Sequence, residues 1–113
     1  MKILIIDDEK DLVELLQMQL ESDSISVDIA HNGQEALELI NKNNYDLIIS
    51  DNHMPELTGV DLLKKVNHKR FYIMSGNTDL KDEVLSLGGK GLINKPFDIA
   101  IIESLVEDLL EKS

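Results

Sequence analysis

The chain has no cysteine, which excludes a disulfide scaffold and zinc-thiolate sites. It is also poor in positive charge, with 11 Lys and Arg against 22 Asp and Glu and a formal net charge of -11. A sequence-independent grip on nucleic acid needs clustered Lys and Arg over the backbone phosphates. No basic patch is present, so direct nucleic-acid binding is not expected. Long apolar runs are missing too: the longest are a few residues, against the roughly 20 that a membrane-spanning helix needs. No charged segment leading into a long apolar one stands at the start, where a strand pattern begins right after Met1. The expectation is a soluble, cytoplasmic protein without membrane insertion, a monomer or weak dimer. Internal repeats, low-complexity segments and linkers are absent as well. At 113 residues and 42% hydrophobic, the chain suffices for one compact core and is short for two, so residues 1–113 are expected to form a single domain.

What is present alternates. Ile3 to Ile6, Leu47 to Ile49 and Phe71 to Met74 are short continuous apolar runs, as expected of strands buried on both faces of a parallel sheet. Ser26, Val27, Asp28 and Ile29 alternate polar and apolar, which fits a half-exposed edge strand, and Gly91 to Ile93 supplies a short fifth strand. Between them lie helical spacings: Leu12, Leu16 and Leu20, then Ala36, Leu37 and Ile40, then Val60, Leu63 and Val66, then Leu80, Val84 and Leu87. Asp11 is the expected N-cap of the first helix, Asn32-Gly33 reads as a turn, and Gly88-Gly89 stop the fourth helix. A last helix is expected over roughly Ile99 to Leu110. Such β-α alternation implies a three-layer, doubly wound α/β sheet with helices on both faces, because right-handed crossovers leave few other topologies.

In sheets of that kind ligands gather outside the carboxyl ends of the strands. Asp7, Asp8, Asp51, Ser75 and Lys95 each fall just after one of the apolar runs. Three carboxylates offer a nucleophile and a seat for a hard divalent cation, while a hydroxyl and an ammonium offer donors to phosphoryl oxygens. Two carboxylates about 4 Å apart repel by roughly 4 kcal/mol at an effective dielectric near 20, a sizeable fraction of a small domain's stability. A cation would relieve that repulsion. Each segment alone also has a bland explanation. Asp7-Asp8-Glu9 could be a solvated acidic loop at a helix start, Asp51 a turn residue before Met54-Pro55, Ser75-Gly76 a strand-ending turn, and Lys95 a surface lysine before a turn proline.

Taken in order, ILIIDDE, DLIISDNHMPELTG, YIMSG and GLINKPF resemble the signature segments of the response-regulator receiver domain, and the resemblance covers essentially the whole chain. It implies the flavodoxin-like sheet order 2-1-3-4-5. It also implies a stand-alone phosphoacceptor of a two-component system, comparable to chemotaxis regulators, taking a phosphoryl group onto Asp51 from the phosphohistidine of a histidine kinase or phosphotransfer protein. By the same resemblance Mg2+ is held by Asp8 and Asp51, with Asp7 through water and the main-chain carbonyl of His53. Ser75 donates to one phosphoryl oxygen, Lys95 pairs with another, and the Lys95-Pro96 bond is expected to be cis. Signalling then runs through phosphorylation-dependent binding to a downstream protein target. The side chain of His53 is expected beside the phosphoryl path with Asn77, because Mg2+ prefers oxygen donors. His31 and His68 read as ordinary surface residues.

The chain departs from the receiver pattern in places. Leu92 stands where receivers commonly carry an aromatic switch residue, and Asn52 replaces the usual apolar residue after the phosphoacceptor. The segments from Val66 to Phe71 and from Ser75 to Lys95 are short, so the third and fourth helices are expected to be clipped. Leu92 and these short segments leave an alternative open: a constitutive binding module with a receiver fold that is not phosphorylated. A hydrolase acting on phosphate esters would want a second acid two residues after Asp51, where the chain has His53, so no enzyme is expected.

Overall fold

The computed structural model describes residues 1–66, 68 and 70–112. The elements run β1 (Lys2–Ile6), α1 (Lys10–Leu20), β2 (Ser26–Ala30), α2 (Gly33–Lys42), β3 (Leu47–Asp51), α3 (Gly59–Lys65), β4 (Phe71–Ser75), α4 (Leu80–Ser86), β5 (Gly91–Asn94) and α5 (Ile99–Lys112). Every strand pairing is parallel and the sheet order is β2-β1-β3-β4-β5, the flavodoxin-like order that the resemblance implied.

Alternation along the central strands divides the core in two. Ile3, Ile5, Leu47 and Ile49 face Val13, Leu16 and Leu20 of α1 and Ile102 and Val106 of α5. Leu4, Ile6 and Ile48 point the other way, toward Ala36 of α2, Val60, Leu62 and Leu63 of α3, and Val84 of α4. The runs are apolar without a break because both faces of these strands are covered. β2, at one edge, keeps Val27 and Ala30 buried and leaves Ser26 exposed.

Several local expectations shift. Helix α1 is capped at Glu9, and Asp11 lies in its first turn; the Glu9 amide is taken up by Asp7 Oδ1 at 3.0 Å, which starts the helix earlier than the sequence suggested. Asn32-Gly33 is a helix start instead of a reverse turn. Asn32 Oδ1 accepts from Glu35 N at 2.8 Å, and the bare Gly33 backbone lies against Leu57, whose side chain would come within 2.5 Å of a Cβ there. Gly88 does end α4, at φ 93, a left-handed conformation that glycine adopts without strain.

Helices α3 and α4 are seven residues each, as short as expected, and Val66 lies just past the end of α3. The short connection from Val66 to Phe71 includes Asn67 and Lys69, which lie outside the described residues. His68 is not a plain surface residue: it is half-buried, with Nε2 2.6 Å from the Tyr45 carbonyl oxygen. His31 is half-buried as well, with its Nδ1 sealed from solvent.

Candidate functional site

Parallel register collects the chemical residues at one end of the sheet. Ile6 pairs with Ser50, Asp51 with Met74, and Ser75 with Asn94. Asp7, directly after β1, therefore comes level with Asp51 at the end of β3, and Lys95 leaves β5 beside Ser75 at the end of β4. Asp7, Asp51 and Ser75 are buried, at 0%, 4% and 0% exposure, whereas Asp8 is open to solvent.

Carboxylate oxygens of Asp7, Asp8 and Asp51 all lie within 4.8 Å of one another, so the three can hold a cation together. The ammonium of Lys95 reaches into the same cluster. Its Nζ donates to Asp7 Oδ2 at 3.2 Å and stands 3.1 Å from Asp51 Oδ1. That second contact is an ion pair without hydrogen-bond alignment: Asp51 Oδ1 is buried and accepts no hydrogen bond among the described residues. Burying a carboxylate oxygen is costly without a compensating charge, and here the Lys95 ammonium supplies it. Ser75 Oγ accepts from Asn77 N at 3.0 Å, which leaves its proton for an oxygen brought into the pocket. The Lys95-Pro96 peptide bond is cis, as expected. His53, on the loop after β3, has an exposed side chain and is not part of the carboxylate cluster.

Burial pushes the Asp7 carboxyl above its ordinary value and the neighbouring charge of Asp51 adds to this, against the opposing pull of the Glu9 amide and Lys95. For Lys95, burial alone would lower the ammonium, but its contacts with Asp51 and Asp7 outweigh that and raise it. A carboxyl whose folded value is raised contributes stability that is full below its unfolded value of 3.8 and is lost as pH rises through the folded value. Asp7→Asn should therefore be more stable than wild type in chelator at neutral pH, with the gap closing as pH falls through the folded value toward 3.8. Urea denaturation across pH checks this; a gap that persists in acid would contradict it.

A family model for the response regulator receiver domain matches residues 3–107. The chain belongs to that family. The receiver is 37% identical to the Francisella response regulator 1452 receiver domain, with a TM-score of 0.87 over 98% of this chain and 97% of that one. It is 28% identical to the response regulator TrrA of Thermotoga maritima, solved in complex with Mg2+-BeF, with a TM-score of 0.81 over 96% of this chain and 97% of that one. Response regulator ArlR of Staphylococcus haemolyticus is 34% identical over 97% of this chain and 52% of the relative. The receiver thus spans about half the length of the curated relatives that it matches. It is a signalling domain of the two-component response-regulator class, and among its described residues no helix is long and apolar enough to cross a membrane.

Sequence reading missed part of the frame around Asp51. Ser50 Oγ donates to the Asp51 carbonyl at 2.9 Å, and nothing in the pattern of β3 announces that bond. Thr58 caps α3 by accepting from Asp61 N, while Asp61 Oδ2 accepts from Thr58 N. The Thr-x-x-acid spacing of a capping box was available as a signal. An open groove of about 940 Å³ lies beside Lys95, lined by Leu12, Leu15, Leu16, Phe97 and Ile99 among others.

Proposed function

We propose that the receiver accepts a phosphoryl group on Asp51 from the phosphohistidine of a histidine kinase or phosphotransfer protein, and signals by changing its affinity for a downstream protein. The observation that carries this reading is the pocket itself, where Lys95 Nζ stands 3.2 Å from Asp7 and 3.1 Å from Asp51, and the carboxylates of Asp7, Asp8 and Asp51 converge. A carboxylate oxygen of Asp51 attacks phosphorus, the new O–P bond forms as the P–N bond breaks, and the electron pair leaves on the imidazole nitrogen. Phosphoryl transfer asks a protein mainly for positioning and charge neutralisation.

Asp7, Asp8, Asp51 and the main-chain carbonyl of His53 would hold Mg2+, an oxygen-only donor set of the kind that ion prefers. When bound, Mg2+ neutralises charge on the phosphoryl oxygens. Ser75 would donate a hydrogen bond from its hydroxyl to one phosphoryl oxygen, and Lys95 would pair with another. A state that brings both against the phosphoryl group is favoured over one that does not, which is the differential contact any switch requires. Leu92 is half-buried and packs against the α2, α3 and α4 side of the core, so the change passes through the loop after Ser75 and not through a ring rotation. The groove beside Lys95 gives an incoming protein an apolar foothold next to the reacting carboxylate. The reading takes the chain as one cytoplasmic domain that is not itself an enzyme and does not touch nucleic acid.

The test is intact-mass measurement of the wild type after incubation with acetyl phosphate, with and without Mg2+. One phosphoryl addition that requires Mg2+ supports the reading. Turnover of many ester equivalents would favour a hydrolase, and no addition under any condition would favour the constitutive module. Mg2+ should also raise the melting temperature. At a hundredfold excess over the dissociation constant the gain is about 2.7 kcal/mol, a shift on the order of 10 °C for a domain of this size. Differential scanning fluorimetry of wild type and Asp8→Asn checks this; an equal shift in the variant would count against Asp8 as part of the metal seat.

A further inference from the structure

We infer that Asn52 is a positioning residue for this site: it pins the loop that follows Asp51 to the start of α3, and so sets where the metal-holding loop stands. The inference rests on the phosphoacceptor reading above. Asn52 Oδ1 accepts from Val60 N at 3.1 Å, in the first turn of α3. The Asn52 carbonyl accepts from Met54 N at 3.1 Å and Gly59 N at 3.3 Å, and the Asn52 amide donates to Met74 O of β4 at 3.0 Å. One residue, covalently joined to Asp51, thus ties together β4, both ends of the loop carrying His53, and α3.

Two further features show how tightly that loop is drawn. A Cβ on Gly59 would stand 2.6 Å from Asp51 O and 3.1 Å from Asn52 Cα, so α3 starts in direct contact with the main chain of the phosphoacceptor. Within the loop Glu56 has φ 69, a left-handed conformation that a non-glycine residue holds only when its surroundings over-determine it. The bond from Asn52 is not needed merely to begin the helix. Thr58 Oγ1 already accepts from Asp61 N at 3.1 Å, and Asp61 Oδ2 from Thr58 N at 3.3 Å. What Asn52 adds is the placement of that capped helix, and of the loop leading into it, relative to Asp51. An apolar side chain at position 52 would leave the Val60 amide without this acceptor.

Groups that orient metal ligands from behind typically change metal affinity by tenfold or more when removed. The experiment compares wild type, Asn52→Ala, Asn52→Asp and Thr58→Ala as full chains. It measures Mg2+ affinity by calorimetry, melting temperature in chelator, and amide exchange at Val60. Asn52→Ala should bind Mg2+ about tenfold more weakly and lose protection at Val60. Asn52→Asp keeps an acceptor oxygen and should retain both. Thr58→Ala removes a helix cap of comparable worth; it should lower the metal-free melting temperature at least as much while leaving Mg2+ affinity near wild type. Unchanged Mg2+ binding in Asn52→Ala would overturn the inference, as would equal weakening in Thr58→Ala, since helix stability alone would then explain it. A wild type that binds no Mg2+ would overturn the metal-dependent reading of the site and this inference together. A wild type that binds while Asn52→Ala binds equally overturns the inference alone.

Discussion

Asp51→Asn protein, incubated with acetyl phosphate and Mg2+, should gain no phosphoryl mass under conditions that fully label the wild type. An amide oxygen is nearly isosteric with the carboxylate oxygen it replaces but lacks the negative charge that makes it a nucleophile toward phosphorus. The neighbouring acids do not inherit the role. Asp7 is buried and already engaged by the Glu9 amide and by Lys95, and Asp8 is exposed, its carboxylate hydrated and placed to share a cation with Asp51. The variant should nonetheless fold, because asparagine fills the same space and the substitution relieves Asp7 of a neighbouring charge while also removing an ion pair to Lys95, two changes of opposite sign. Intact-mass spectrometry read beside a thermal melt separates a lost nucleophile from a lost fold. Labelling of a folded Asp51→Asn protein at the wild-type rate would remove Asp51 from the mechanism.

Gly59→Ala should be the most damaging of the small substitutions near the site. The added methyl would meet Asp51 O at 2.6 Å, Ile73 Cδ1 at 2.9 Å and Asn52 Cα at 3.1 Å. Two of these are main-chain atoms, which cannot turn aside as a flexible side chain can, so the start of α3 must move away from β3. Overpacking of this kind costs typically about 1–3 kcal/mol, and here the displacement is transmitted to the residue carrying Asp51's carbonyl. Both urea stability and the extent of labelling should fall. Gly76→Ala is the control: the nearest atom to its Cβ is Lys95 O at 3.7 Å, an ordinary contact. It should melt close to wild type. A Gly59→Ala protein as stable as Gly76→Ala would show that α3 is not seated as tightly as the distances imply.

How much of this could be read from the residues alone depends on how few ways each could be satisfied. The strand runs were legible because Ile3 to Ile6 and Leu47 to Ile49 have no polar atom to spare for water, and each stops abruptly at Asp7 and at Ser50-Asp51. Their shared end then put Asp7, Asp51, Ser75 and Lys95 together once the sheet was parallel. The first helix was harder. Leu12, Leu16 and Leu20 make a clean spacing, yet the buried stripe is Val13, Leu16 and Leu20, because the sheet underneath and not the spacing decides which side turns inward. Its cap was misplaced for a different reason: Asp7 Oδ1 accepts from the Glu9 amide two residues on, a local Asx-type bond that starts the helix ahead of Asp11 and that the helical spacing alone does not reveal. Asn52 was noticed only as an oddity. A polar residue after an acid can turn to water, to a loop or to a helix end, and only the proximity of Val60 selects among these.

The unbroken apolar character of β1 leaves one question of phase to be answered elsewhere. With Ile3, Leu4, Ile5 and Ile6 all fully covered, a slide of the strand by a single position would still lay hydrocarbon against both layers, so greasiness cannot choose the frame. In amphipathic strands a slip is punished at every step; here the penalty is concentrated at the last rung, where Asp7 must meet an ammonium and an amide or be stranded without either. The acidic corner therefore acts as the strand's ruler as well as its reactive end, and chemistry and alignment are specified by the same carboxylate.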